Sequence, residues 1–197
     1  MLFSWANPIS MSIVAGGWII TQIALSIRFS TLRKGGANPP PKQDVLSILF
    51  FIVQSASVVA AFWGSVRVGG DALGAGGLIE IAVVGALVLA GLGFFICAII
   101  ALGQNFAAIA QVKSDGNLVT RGPYAIVRNP IYLGYFLILL ATPLAFGHAQ
   151  TLLIAVPLYL IGAVPRILLE ERVLRAHFGA DYDAYAARVW RFIPFVW

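Results

Sequence analysis

Residues 78–102 read LIEIAVVGALVLAGLGFFICAIIAL, a run of twenty-five with a single charge, Glu80. A helix crossing the hydrocarbon of a bilayer needs about 20 mostly apolar residues, so this segment predicts a membrane span. Four further apolar stretches lie around it: 9–27 and 45–66 before, 131–146 and 151–169 after. The last two are joined by Gly147-His148-Ala149-Gln150, a link so short that it predicts an antiparallel hairpin. Composition agrees. Of the 197 residues 60% are hydrophobic and 11% charged, with a mean hydropathy of +0.90. A soluble domain averages about 45–50% apolar and about 25% charged. These values exclude a disordered chain, a nucleic-acid-binding domain and an ordinary cytosolic enzyme. One cysteine, Cys97 in the long apolar run, leaves no disulfide framework and no cysteine metal site. The fold expected is an all-α membrane protein of about five transmembrane helices, forming a single integral membrane domain over 1–197.

The positions of the basic residues orient the spans. Twelve of the thirteen Lys and Arg fall after span one, after span three and in the C-terminal region, and only Arg67 falls elsewhere. The positive-inside rule then places the N-terminus outside and the C-terminus in the cytoplasm, as an odd span count requires. The start, MLFSWANPIS, has no positive residue ahead of the apolar run, so the first span is expected to be retained rather than cleaved. Gly35-Gly36 and Pro39-Pro40-Pro41 read as a connector, and Ser114-Asp115-Gly116-Asn117 as a turn.

Within the third span Ala82, Ala86 and Ala90 recur at spacing four, with Gly93 and Cys97 continuing the face. Small residues in this pattern let helices approach closely in lipid. Gly91-Leu92-Gly93 could instead admit a ligand against the backbone, although it lacks the third glycine and the preceding strand of a dinucleotide fingerprint.

Chemistry concentrates at one boundary. In Val127-Arg128-Asn129-Pro130-Ile131-Tyr132, Pro130 suits the first turn of span four and Asn129 suits its N-cap. Arg128 and Asn129 then stand where the helix dipole is positive, a site suited to a carboxylate or phosphate. Near the end of span five, Arg166 and Glu170 share a helix face, as do Glu171 and Arg175. The pairs read either as structural salt bridges or as a carboxylate site for a polar ligand such as ribose hydroxyls or an amine. Pro157 and Pro165 are expected to bend this span and open a cavity between spans three, four and five. Beyond it, Phe178-Gly179 is expected to end one helix and Asp181 to cap the next. Phe178, Tyr182, Tyr185, Val189 and Phe192 then predict an amphipathic helix lying on the cytoplasmic membrane surface.

The second half resembles a known family. LVTRGPYAIVRNPIYLGY at 118–135, then a hairpin, then EERVLRAHFGADYDAYAARVWRFIP at 170–194, is similar in collinear order to the isoprenylcysteine carboxyl methyltransferases and the related phospholipid methyltransferases. The resemblance covers about residues 103–197, and Gly91-Leu92-Gly93 is similar to a Gly-x-Gly of the phospholipid enzymes. It implies a variable two-span part over 1–77 and a methyltransferase-like core over 78–197. The family motif Arg-His-Pro-x-Tyr stands here as Arg128-Asn129-Pro130-Ile131-Tyr132, so Asn129 keeps a hydrogen-bond donor and lacks the imidazole.

By this resemblance the protein is expected to transfer a methyl group from S-adenosylmethionine to a lipophilic acceptor, in the cytoplasmic membrane with its site facing the cytoplasm. Cofactor contacts are implied at Gly91, Gly93, Tyr124, Arg128, Asn129, Pro130, Tyr132, Leu133, Glu170 and Glu171, and catalytic roles at Arg166, Asn129 and Glu170. Arg128 would suit the methionine carboxylate, Glu170 or Glu171 the ribose or amino group, and Tyr124 and Tyr132 the adenine. Arg166 would hold a carboxylate acceptor, whereas Glu170 would serve an amine. No metal is implied, and the oligomeric state is left open. Two other readings stay in play: an NADPH-dependent membrane reductase of the sterol-reductase type, and a non-catalytic membrane subunit.

Overall fold

The computed structural model describes residues 5–34, 45–64, 66, 68–69, 71–103 and 117–196. The connector glycines and prolines, Arg67 and the turn at 114–116 lie outside them. Among the described residues there are six α-helices: α1 (Pro8–Lys34), α2 (Val45–Ala61), α3 (Ala75–Leu102), α4 (Pro130–Ala145), α5 (Leu152–Phe178) and α6 (Ala180–Ala186). Among the described residues three segments are long and apolar enough to cross a membrane: Pro8–Arg28, Ala75–Leu102 and Ala149–Phe178. The helices α2 and α4 have 17 and 16 residues, about 25 Å at 1.5 Å per residue.

Helix α4 packs along α3, and α2 along α5, while α1 leans on α3 and α4. The α3–α4 crossing is set by glycine. A Cβ on Gly91 would lie 2.8 Å from the Gly134 carbonyl oxygen, and one on Gly134 would lie 2.6 Å from that of Gly91. Each glycine therefore lets the other backbone come close. Around this crossing Val84 and Val88 meet Val14, Ala141 and Ala145. The Trp18 indole N–H donates to Thr142 Oγ1 at 3.1 Å, tying α1 to α4. A larger core joins α2, α4 and α5 through Leu133, Phe136, Leu139, Tyr159 and Ile167.

Two expectations are corrected. The Ala82, Ala86, Ala90, Gly93 and Cys97 stripe faces outward. The buried side of α3 is instead Val84, Val88, Gly91, Phe95 and Ala98. The helix is apolar all round, so the small-residue stripe and the packing stripe had no polar contrast to tell them apart. Secondly, the tail is no surface-lying helix: α6 ends at Ala186, and Tyr182, Tyr185 and Phe192 are buried inside the protein. Phe192 packs on Phe136 of α4. Helix α5 carries Pro157 and Pro165 within its length. Apolar clefts of about 420 Å³ each open between α2 and α5 at Ala60 and Ile154, and between α1 and α2 at Gln22 and Val58.

The amino-terminal approach (Trp5, Ala6), the α4–α5 hairpin and the segment after α2 gather at the opposite end of the bundle from α6. There a Cβ on Gly147 would lie 2.6 Å from the Trp5 carbonyl carbon, and Ala6 bridges to Val68.

Candidate functional site

Helix α4 begins at Pro130, whose missing N–H suits that position. Asn129 occupies the N-cap and its carbonyl accepts the Leu133 N–H at 3.1 Å. Its side chain does not cap, contrary to expectation. The amide nitrogen instead donates to Glu171 Oε1 at 3.2 Å and to the Arg191 carbonyl at 2.9 Å. Asn129 is only 8% exposed, so its amide hydrogens need acceptors within the protein, and the Glu171 carboxylate and the Arg191 carbonyl supply them.

Glu171 is the hub. Arg128 Nε approaches its Oε1 at 3.2 Å as an ion pair, and Arg191 Nε donates to its Oε2 at 3.0 Å. The Glu171 side chain is 3% exposed. The anion-favouring start of α4 is thus filled by the chain's own carboxylate. The predicted helix-face partner Arg175 turns elsewhere, to Asp183 at 2.6 Å. Asp181 sits in the first turn of α6, where Gly179 (φ +53°) both closes α5 and opens α6.

The tail is stitched to the same place. The Arg128 N–H donates to the Trp190 carbonyl at 2.7 Å, and Val127 forms a parallel bridge with Trp190. Arg128 Nη1 donates to the Ala186 carbonyl at 3.2 Å. The Tyr185 hydroxyl donates to the Tyr124 carbonyl at 2.7 Å. Burial pushes the Tyr124, Tyr182 and Tyr185 phenols above their ordinary range, so they stay protonated.

Beside this network lies a second group. The Tyr132 hydroxyl donates to Glu170 Oε1 at 2.6 Å, and its carbonyl accepts from the Tyr159 hydroxyl at 2.7 Å. The Arg166 guanidinium stands over the Tyr132 ring at 5.8 Å and the Phe51 ring at 5.4 Å. Arg166 and Glu170 are neighbours in charge, but no ion pair joins them among the described residues.

The structure therefore gathers Arg128, Asn129, Pro130, Tyr132, Arg166, Glu170 and Glu171 at one end of α4 and α5. Tyr124 lies nearby, packed on Ala98 and Leu102. Leu133 is buried in the core. Gly91 is occupied in holding α4. Gly93 has nothing within 4 Å of its missing Cβ, so that position is open. Arg191 and the Trp190 carbonyl were not singled out from sequence; a carbonyl carries no sequence signature, and Arg191 read as one polar residue of an amphipathic helix.

A family profile described as phospholipid methyltransferase matches residues 79–181. The chain belongs to that family. The matched segment holds most of the site, whereas Trp190 and Arg191 fall beyond it. Curated relatives agree. The chain is 37% identical over 102 residues to a protein-S-isoprenylcysteine O-methyltransferase of Schizosaccharomyces pombe, an alignment covering 50% of this chain and 43% of that protein. It is 33% identical over 102 residues to protein-S-isoprenylcysteine O-methyltransferase B of Arabidopsis thaliana, covering 50% and 51%. It is 36% identical over 95 residues to methanethiol S-methyltransferase 2 of Bradyrhizobium diazoefficiens, covering 47% and 35%. In each case the chain spans about half or less of the relative's length. The family and the apolar helices together make this an integral membrane protein.

Proposed function

We propose that the protein is an S-adenosylmethionine-dependent membrane methyltransferase whose acceptor is a lipophilic carboxylate. The observation that carries this is the Arg166 guanidinium. It stands against two ring faces, with no hydrogen-bond acceptor among the described residues, beside the Tyr132–Glu170 pair. Five spans, with α2 and α4 as the short ones, and a site facing the cytoplasm complete the reading; the basic residues of that end favour it.

The site's chemistry fits the cofactor. Arg128 and Arg191 bring two guanidinium groups to the Glu171 carboxylate, a cationic setting that suits the carboxylate of the cofactor. Glu170 offers a carboxylate oxygen to an ammonium or a ribose hydroxyl. S-adenosylmethionine, when bound, supplies a methyl carbon made electrophilic by the sulfonium to which it is attached. The protein's part is then to hold and to dry the partners. Arg166 orients the acceptor carboxylate, which is already ionised and needs no base. Tyr132 fixes Glu170 and presents its ring to Arg166. The Glu171 network fixes the start of α4 against the tail. Asn129, through its two amide bonds, positions rather than titrates.

The test is transfer of a labelled methyl group to a panel of prenylated cysteine acids, lipid amines and thiols. Label should enter the carboxylates, and Arg166→Ala should lower kcat/KM by about a hundredfold, the usual loss when a charge-matching donor is removed. Label entering only amines or thiols would replace the acceptor class. Folded protein that binds no S-adenosylmethionine would overturn the whole reading.

A further inference from the structure

Arg166 lies within a membrane-crossing segment, Ala149–Phe178, where a cation is costly unless something compensates it. Its guanidinium stands over two rings, Phe51 at 5.4 Å and Tyr132 at 5.8 Å. Glu170, one turn further on, instead accepts the Tyr132 hydroxyl at 2.6 Å. The difference matters chemically. An ion pair would compensate the charge and also fill the N–H donors of the guanidinium. A ring attracts the cation through its quadrupole and leaves those donors, which lie in the guanidinium plane, able to take a carboxylate.

Of the two rings, Tyr132 has other tasks: its hydroxyl holds Glu170 and its carbonyl holds Tyr159. Phe51 belongs to α2, outside the matched segment 79–181, and is 57% exposed. Any apolar side chain would serve merely to face lipid. Its placement is more particular. The α2 and α5 backbones meet at Gly162, where a Cβ would lie 2.5 Å from the Gln54 nitrogen and 2.7 Å from the Phe50 carbonyl oxygen. Gly162 and Arg166 are four apart and share a face of α5. Phe51 is the residue next to Phe50 on α2. The close crossing therefore fixes the stretch of backbone that carries Phe51 beside the turn that carries Arg166.

We propose that Phe51 is a positioning residue for the methyl acceptor: with Tyr132 it holds the Arg166 guanidinium so that its N–H donors meet the acceptor carboxylate. This rests on the methyltransferase reading with a carboxylate acceptor, and extends it to a helix beyond the matched segment. Phe51 acts through Arg166 rather than on the cofactor or the transferred methyl group. The requirement at position 51 is then an aromatic ring and not simply an apolar side chain.

The test is a double-mutant cycle on the full-length protein in detergent, read as kcat/KM for a prenylated cysteine acid with labelled S-adenosylmethionine. Phe51→Leu should lower kcat/KM about fivefold, the size of one cation–π contact. Phe51→Trp keeps a ring and should stay within about twofold of wild type. In the Arg166→Ala background, Phe51→Leu should cost nothing further, because the partner it acts through is gone. Phe51→Leu should leave the melting temperature and the calorimetric affinity for S-adenosylmethionine unchanged. The same loss in both backgrounds, an equal loss in Phe51→Trp, no loss in Phe51→Leu, or a loss tracking lower melting or weaker cofactor binding overturns the assignment and leaves the methyltransferase reading in place. Wild type that methylates only amines or thiols, or an Arg166→Ala variant as active as wild type, overturns the carboxylate acceptor and this role with it. Folded wild type that binds no S-adenosylmethionine overturns the methyltransferase reading as well.

Discussion

The two ends of the bundle treat buried polar groups in opposite ways. At the site end, Asn129, Glu171, Arg128, Arg191, Tyr132 and Glu170 hold one another in a network spanning α4, α5 and the tail. At the far end, His148 is 2% exposed and neither ring nitrogen has a hydrogen-bond partner among the described residues. That end is held by backbone contact, with Gly147 against Trp5 and Gly64 against the His148 ring. The lesson is that polarity at depth is not by itself a sign of function. What marks the site is mutual satisfaction of charges from several elements.

The largest effect that would break this contrast lies at Glu171. Glu171→Gln should destabilise the protein by about 3 kcal/mol, because it removes the buried carboxylate that the Arg128 and Arg191 guanidinium groups share. The loss should appear as a lower melting temperature in detergent before any ligand is added. A melt within a degree or two of wild type would mean that the network is held by the bundle rather than the reverse.

A smaller effect is expected where the two ends are tied together. Gly91→Ala places a methyl group against the α4 backbone and should lose about 1–3 kcal/mol. Gly93→Ala, two residues on, meets open space and should stay within about 0.5 kcal/mol of wild type. Denaturant melts of the two variants side by side decide it, and equal effects would remove glycine from the account of the crossing.

The smallest is expected at the far end. His148→Phe removes two unpaired nitrogens and keeps a ring beside Phe146. It should leave stability unchanged or raise it by up to about 1 kcal/mol. A clear loss would show that the imidazole is satisfied in the membrane, and the two ends would then differ less than described.

Much of this was readable from the chain. Long apolar runs dictated helices, Pro130 marked the start of α4, and Gly179 marked the end of α5. The residue types at 128–132 and 166–171 pointed to one cluster because the hairpin must bring them to the same end. Packing faces were not readable. In α3 every side is apolar, so no periodicity distinguished the buried stripe from the outward one. Partner choice was not readable either. Glu171 and Arg175 have the spacing of a helix pair, yet each found a better partner on another element. Local spacing says which groups can meet, whereas burial decides which ones must. The tail deceived for a related reason: its apolar residues do have a partner face, but it is the start of α4 rather than lipid.

The attachment of the tail has a practical side. The carbonyls of Trp190 and Arg191 receive the Arg128 amide and the Asn129 side chain. A chain clipped by a protease between Ala186 and Trp190 would therefore keep every apolar helix, insert normally, and still lose its grip on the start of α4. Preparations that look intact by membrane extraction need checking by intact mass, since the most damaging loss would remove only about 1.1–1.5 kDa of 21.1 kDa.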